Sequence, residues 1–479
     1  MDLNERIIAR KAEQELLGDL LSKKSSELIS VTGRRRVGKT FLVKQFFQDR
    51  IVFQLTGIQN ATKTVQLRNF GRTMAHLTGN TLQASTPADW SDAFYLLEKY
   101  LRELPKENKL VLFFDELPWI ATPKSGFLGA FGHFWNSYAE WENIMVILSG
   151  SAASWMIDKV VRHKGGLHNR ITQRIHLQPF TLGETKEYLD YRHFQYGPYD
   201  ISELYMALGG IPYYLKTLSP SLSPGQNLER AVLRRGGQLN DEFMRLYPAL
   251  FDNADRHISI IRALAKHHYG LSRQQIIAAT DLSNGGGLTQ VLEELEFSDF
   301  IRGYYVFNQK KRYRRYRLID EYSNFYLRFI EHRKNDGDNL WSAISSEQSY
   351  RTWRGYAFEN LGLRHLPALR RALGIAGVAT STSTYAHPAE GGRKGLQIDL
   401  LIERADRTIN LCEFKYYNGP IKLTKAQAER LVERREDFRQ YTGTNHTLFT
   451  TLISPFGLAK PNNSGGVIDQ SITLKELFE

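Results

Sequence analysis

The run Gly33-Arg34-Arg35-Arg36-Val37-Gly38-Lys39-Thr40 sets two glycines, a lysine and a hydroxyl at the spacing G-x-x-x-x-G-K-T. Those types in that order suit polyphosphate chemistry. The glycines let the backbone wrap an anion, and a helix starting behind them points free N–H groups at it. Lys39 would bridge β- and γ-phosphates and Thr40 would hold Mg²⁺. The expected nucleotide contacts are Gly33, Arg34, Arg35, Arg36, Val37, Gly38, Lys39, Thr40 and Phe41, with ATP and Mg²⁺ as cofactors. Such a cradle needs a carboxylate on a neighbouring strand. Leu110-Val111-Leu112-Phe113-Phe114-Asp115-Glu116 supplies two, Asp115 for the metal through water and Glu116 to polarise the attacking water. Ser149 and Ser151, after the run Ile144–Leu148, are candidates to sense the γ-phosphate or orient the water, or else to cap the next helix.

A second chemical grouping lies near the carboxyl end. Leu396-Gln397-Ile398-Asp399-Leu400-Leu401-Ile402 and Ile409-Asn410-Leu411-Cys412-Glu413-Phe414-Lys415-Tyr416 flank the turn Arg404-Ala405-Asp406-Arg407. A hairpin centred near Asp406 sets Asp399 opposite Glu413, and period two puts Glu413 and Lys415 on one face. Opposed like charges destabilise a sheet. A divalent cation reverses that sign, so Asp399, Glu413 and Lys415 read as a Mg²⁺ site with a positioned ammonium.

The elements that must position these groups follow from the same residues. Leu28-Ile29-Ser30-Val31 is a strand before the glycine turn, and Phe41–Phe47 a helix after it. Leu110–Phe114 reads as a buried parallel strand, which puts Asp115 and Glu116 at its carboxyl end. Beyond Tyr247-Pro248 the apolar spacing becomes helical at Ile258, Ile261 and Leu264. Ser272 caps a second helix, and Leu288, Val291, Leu292 and Leu295 stripe a third. Helix, helix, turn, helix and a β-rich stretch read as a winged helix-turn-helix. Its wing would be Arg302–Arg317, where Arg302, Lys310, Lys311, Arg312, Arg314, Arg315 and Arg317 interleave with Tyr304, Tyr305, Phe307, Tyr313 and Tyr316 and no acid intervenes. Such a strip attracts phosphates and offers rings for stacking, or else its rings belong to a core. The acidic third helix does not suit a major groove. Glu331–Asn339 is a linker or the end of a charged helix.

Asp115-Glu116, Ser149-Gly150-Ser151, Asn169-Arg170, Gln178-Pro179-Phe180 and Gly209-Gly210-Ile211-Pro212 together resemble the archaeal-type P-loop ATPases, which lie near the AAA+ and STAND groups. The resemblance implies that Pro212, in a helical lid, lies near the adenine and that Arg170 faces a γ-phosphate, in its own site or a neighbour's. The lead-in Ile8–Glu13 matches only loosely. The Asp399, Glu413 and Lys415 pattern resembles the PD-(D/E)XK nuclease-like fold. That resemblance makes Asp399 and Glu413 metal ligands and Lys415 the group that orients the attacking hydroxide. It adds Glu359, on a first helix around Gly355–Glu359, as an auxiliary acid, with help from Gln427 and the carbonyl of Phe414. Arg393, Lys394, Lys422, Lys425 and Arg430 could hold phosphates, whereas Arg434 and Arg435 read as a solvated helix face.

The expected fold class is α/β and multidomain. Residues 1–180 would form a parallel-sheet P-loop core, 181–247 a helical lid, 250–330 a winged helix-turn-helix and 345–479 a restriction-endonuclease-like α/β domain. At 479 residues the chain is too long for one core. No apolar run approaches a membrane span, and Met1–Arg6 has no signal core, so a cytoplasmic location is expected. A lone Cys412 excludes an internal disulfide. No zinc site is expected, since His163, His168, His257, His267 and His268 lack zinc-ligand spacing with cysteine. The net charge of +12 suits a polyanion. The expected activity is ATP hydrolysis by a protein acting on DNA through 302–317 and a Mg²⁺-dependent C-terminal domain. The alternative is a STAND-like, nucleotide-switched regulator with an inactive nuclease fold, in which self-association follows nucleotide state.

Overall fold

Three six-residue strands with every residue buried build the centre of the first sheet: β1 (Glu27–Thr32), β3 (Leu110–Asp115) and β4 (Ile144–Ser149). Two-faced burial of this kind belongs to parallel sheets covered by helices. β2 (Ile51–Thr56) and β5 (Gln173–His176) complete the sheet in the order β2-β3-β4-β1-β5, all neighbours parallel. The computed structural model describes residues 6–80, 85–161, 167, 169–308, 313–333, 339–389, 395–459 and 466–479. The sheet's core is aromatic: Phe53, Phe70, Trp90, Phe94, Phe114, Phe127, Phe131 and Phe134 form one cluster. The order sets β4 between β1 and β3, so the carboxyl ends of all three strands come together beside the glycine turn.

The chain divides into two compact units, residues 1–179 with 248–254 and 293–298, and residues 180–247 with 255–292 and 299–479. The second unit begins with helices. Leu182–Tyr191 starts at a capping box in which Thr181 and Glu184 satisfy each other's backbone N–H. The helices Ala254–Ala265, Arg273–Thr280 and Gly286–Phe297 follow in chain order, though Ala254 and residues 293–297 belong to the first unit, and Ser272 caps the second helix through a box with Gln275. β6 (Leu271–Ser272), β7 (Ile301–Tyr304) and β8 (Arg315–Leu318) pair antiparallel in the order β6-β8-β7.

A mixed five-stranded sheet ends the chain. β9 (Thr380–His387), β10 (Leu396–Arg404) and β11 (Thr408–Phe414) are antiparallel neighbours. β12 (Thr447–Ile453) and β13 (Gln470–Ile472) add in parallel, giving β13-β12-β11-β10-β9. The helix Gln348–Arg364 packs so closely on β11 that a Cβ on Gly362 would sit 2.1 Å from the Phe414 ring.

The basic 302–317 stretch differs from a free wing. Past β7, Val306 bridges Thr384 of β9, and the Phe307 N–H donates to the Thr384 carbonyl at 2.8 Å. Phe307 is buried with Tyr385 and Phe438 in the core of the C-terminal sheet. Arg302 donates to the Leu363 carbonyl at 2.7 Å and Arg315 to that of Gly270 at 2.8 Å. The apolar ring and two of the arginines thus have inward partners. Tyr305 and Tyr313 stay exposed. Lys310, Lys311 and Arg312 lie outside the described residues, as do His163, His168, Arg393 and Lys394.

Candidate nucleotide site and carboxylate centre

The glycine turn takes the shape its residues require. Gly33 has φ +132°, and a Cβ there would meet the Leu177 carbonyl oxygen at 2.4 Å. Gly38, at φ 97°, is the N-cap of the helix Lys39–Phe47, which starts on the lysine itself. Arg36 also holds a left-handed φ of 74°. Lys39 is 6% exposed and donates to the carbonyls of Gly33 at 2.8 Å and Arg34 at 3.1 Å. Burial pulls its ammonium below the ordinary lysine value, against the Glu116 and Asp115 carboxylates that hold it up. The lysine therefore lies inside the cradle, held by two of its carbonyls.

The carboxylates arrive from the neighbouring strands. Thr40 Oγ1 donates to Asp115 Oδ2 at 2.9 Å, and Ser149 at the end of β4 donates to Asp115 Oδ1. Ser151 Oγ donates to both Glu116 oxygens at 3.0 and 3.1 Å, and its N–H reaches Oε2 at 3.3 Å. Each acid thus carries one serine of the Ser149-Gly150-Ser151 step. Glu116 has φ 49°, a strained conformation for a non-glycine residue. Buried Gln66 supports its loop by donating to the carbonyls of Ile58 at 2.7 Å and Trp119 at 3.0 Å. Thr40 and Asp115 offer hard oxygen donors facing one another, the donor type Mg²⁺ prefers, so the residues fit that ion.

One residue bears on the site differently from the sequence reading. Arg10 was only part of a loose lead-in. It is buried, with φ 59°, and its Nη2 donates to the Val37 carbonyl at 3.2 Å, so it pins the apex of the cradle from outside. Its only sequence signal was an arginine shortly before a strand–glycine–helix motif. Arg170 donates through Nε to Asn136 at 3.0 Å, against Gly132 of the helix Phe127–Ser137. Pro212 is the first residue of the helix Pro212–Lys216 in the second unit. Phe41 follows Thr40 in the first turn of the cradle helix.

In the C-terminal sheet the hairpin pairs Arg404 with Thr408 and Leu400 with Cys412. The next residues outward are Asp399 and Glu413, near enough that the Glu413 charge acts on the Asp399 carboxyl. Helix Gln348–Arg364 brings Glu359 to the same place. Burial raises its carboxyl to about 7, the nearby Asp399 and Glu413 charges add to that, and Arg317 opposes it. Asp399 is likewise raised, first by burial and then by Glu413. Burial disfavours the Lys415 ammonium, but Glu413 at 2.9 Å wins and holds it above the ordinary lysine value. Three acids therefore come together, Glu359 buried and Asp399 and Glu413 half-buried, with the exposed Lys415 at their edge.

The chain's own cations already occupy this locus. Arg317 of β8 meets Glu359 at 2.9 Å, with 4% and 10% of the two side chains exposed. Arg434 donates to Glu413 at 2.7 Å and to the Gln397 carbonyl. Arg434 is thus no solvated helix face. The helix Lys425–Thr442 turns it inward, and Arg435 pairs with Asp469 at 3.5 Å. Gln427 accepts from the Thr424 N–H at 2.9 Å as part of the helix cap. Among the described residues, no group of three or more His, Cys, Asp or Glu stands ready to hold a metal ion. The oxygen donors suit Mg²⁺ by type, but cations of the protein hold Glu359 and Glu413.

No helix among the described residues is long and apolar enough to cross a membrane. Residues 8–218 match the family described as an ATPase domain predominantly from Archaea. An uncharacterized protein of Methanocaldococcus jannaschii is 23% identical over 367 residues, 76% of this chain and 78% of that one. The fold is similar to that of a Walker-type ATPase of Pyrococcus abyssi, with a TM-score of 0.51 and 19% identity over 68% of this chain and 100% of the other. With Lys39 in its glycine cradle and Thr40 on Asp115, the stretch 8–218 that is similar to the archaeal ATPase domains keeps its glycine-turn lysine and threonine in place, and the activity this supports is that of an ATPase.

Proposed function

We propose that ATP binding and hydrolysis at the cradle control a C-terminal centre that acts on DNA as a Mg²⁺-dependent phosphodiesterase. The observation that carries this is the gathering of buried Glu359, half-buried Asp399 and Glu413 and exposed Lys415 on a hairpin-and-helix frame. In this reading Asp399 and Glu413 hold the metal, Glu359 assists, and Lys415 stabilises the attacking hydroxide. At the other centre Thr40 and Asp115 hold Mg²⁺, Glu116 polarises water, and Ser149 and Ser151 orient the two acids. Pro212 sits at the base, and Arg170 serves a γ-phosphate. The sequence boundaries given above remain the domain reading. The three helices with β6, β7 and β8 support a winged helix within it, and Tyr305, Tyr313 and Arg314 offer its DNA contacts.

The test is cutting of linear, circular and single-stranded DNA with Mg²⁺ or Mn²⁺, with and without ATP. Wild type should cut. Asp399→Ala and Lys415→Ala should not cut yet should keep ATP turnover, and Lys39→Ala should lose turnover. Cutting that survives Asp399→Ala would place the metal elsewhere.

The pairing of Glu359 and Glu413 with the chain's own arginines favours a second reading. In it the C-terminal fold is catalytically silent, and the protein is a nucleotide-switched regulator. ATP-dependent retardation of a DNA fragment, or ATP-dependent oligomers, without cutting under either metal would select it.

A further inference from the structure

Arg317 faces two environments. Its Nη2 holds Glu359 at 2.9 Å, and its side chain also lines a cleft of about 130 Å³. A water needs roughly 15 Å³ of such space, so the cleft has room for a small polyatomic ligand. Its lining is cationic through Arg317, Arg328 and Lys266, with two histidines beside them and no Asp or Glu among the lining residues described. Lys266 and Arg328 are exposed and Arg317 and Asn360 buried, which makes a charged rim over a polar floor. Three atoms of lining residues, Arg317 Nε, His268 Nε2 and Asn360 Oδ1, are buried without a hydrogen-bond partner.

We propose that this cleft is a binding site for a phosphate-class oxyanion, gripped by Arg317 from the floor and by Lys266 and Arg328 from the rim. Arginine suits the role because its planar fork can serve an oxyanion with more than one N–H. His268, stacked on Tyr356 with ring centroids 3.6 Å apart, supplies a ring nitrogen rather than a charge.

The site has a consequence for the acidic centre. An anion on Arg317 competes with Glu359 for the same guanidinium. Relieved of that partner, the carboxylates gain affinity for a divalent cation. This coupling rests on the metal reading proposed above, and the anion site does not.

The test uses the full chain in the Lys39→Ala background, which removes the cradle as a second anion site. Inorganic phosphate, a nucleoside monophosphate, and a short single-stranded oligonucleotide with and without a 5′-phosphate are titrated by calorimetry and ³¹P NMR. Binding of inorganic phosphate should weaken roughly tenfold in Lys266→Gln/Arg328→Gln and in Arg317→Gln, as expected for lost charge-assisted bonds. Equal binding by the unphosphorylated oligonucleotide assigns the site to backbone phosphates. A need for a free or terminal phosphate assigns it to nucleotides or inorganic phosphate. Unchanged affinity in the rim double variant, which alters only exposed side chains, overturns the site, as does absence of binding by every probe at millimolar concentration. Mn²⁺ titration by EPR, with Asp399→Asn as the blank, reads the coupling. Phosphate should tighten Mn²⁺ several-fold in the parent and not in Arg317→Gln. Phosphate binding with no Asp399-dependent Mn²⁺ uptake supports the oxyanion site and removes the metal reading instead.

Discussion

Arg10 shows how a single side chain outside the motif can set the quality of the nucleotide site. The cradle binds through backbone N–H groups, so its affinity depends on the loop being held in shape before nucleotide arrives. Arg10 Nη2 on the Val37 carbonyl is one such brace, and the same guanidinium lies 3.6 Å from Glu13. A charge-assisted bond of this kind contributes about 1.5 kcal/mol, or roughly tenfold in Kd. Arg10→Met should therefore weaken ATP binding about tenfold while leaving kcat within a few-fold. A fluorescent-nucleotide titration checks it, and an unchanged Kd would show that the loop holds its shape unaided. The motif residues themselves were legible because they are contiguous and each has one plausible job. Arg10, Arg317 and Arg434 were not. Their partners Val37, Glu359 and Glu413 are 27, 42 and 21 positions away, and an arginine's type does not say whether it faces water, phosphate or a carboxylate.

At the scale of elements, apolar runs and short turns carried the most information. Leu110–Phe114 and Ile144–Leu148 could only be buried strands, and the four-residue turn at Arg404–Arg407 left one hairpin register that keeps its apolar face buried. The parallel partners β12 and β13 had no comparable signal, because a parallel pairing is fixed by a distant crossover. The capture of Phe307 by the C-terminal sheet was hidden for the same reason: an aromatic between basic residues reads equally as stacking platform or core. One junction between elements predicts a pH effect. His365 follows the helix Gln348–Arg364. It accepts the Leu182 N–H on Nε2 at 2.9 Å, with Nδ1 on the Leu361 carbonyl at 2.7 Å. Burial, with Arg364 and Arg302 adding to it, lowers its pKa to about 4, although the Leu361 carbonyl pulls the other way. The folded protein therefore keeps this histidine neutral while the unfolded chain, near 6.5, protonates first. The stability it contributes is complete above about pH 6.5 and is lost as pH falls toward 4. The full difference is about 3 kcal/mol. Chemical denaturation between pH 7.5 and 4.5 should show this slope, and His365→Gln, whose amide oxygen can still accept from Leu182, should flatten it by about one proton. An equal slope in the variant would move the effect to other groups.

The whole chain joins an ATPase unit to a second unit that holds the carboxylate centre, and each has its own sheet and core. Its net charge of +12 suggested a polyanion partner, yet several of the basic residues behind that number are spent internally on carbonyls and carboxylates. Net charge is thus a poor guide to surface chemistry here, and ligand linkage is a better probe of the parts. Nucleotide binds the folded cradle and not the unfolded chain, so it stabilises the first unit by RT ln(1 + [L]/Kd), about 2.7 kcal/mol at a hundredfold excess over Kd. In a domain of 150–250 residues that raises the midpoint by about 5–10 °C. Calorimetry of the intact protein should resolve two transitions, with Mg-ATP shifting one by that amount and leaving the other within a degree or two. Lys39→Ala should abolish the shift, because the remaining backbone cradle lacks the ammonium that neutralises the β- and γ-phosphates, while Asp399→Ala should keep it. A single transition that moves as a whole with nucleotide would mean the two units unfold as one body, so that ATP affects the carboxylate centre through global stability rather than through a switch.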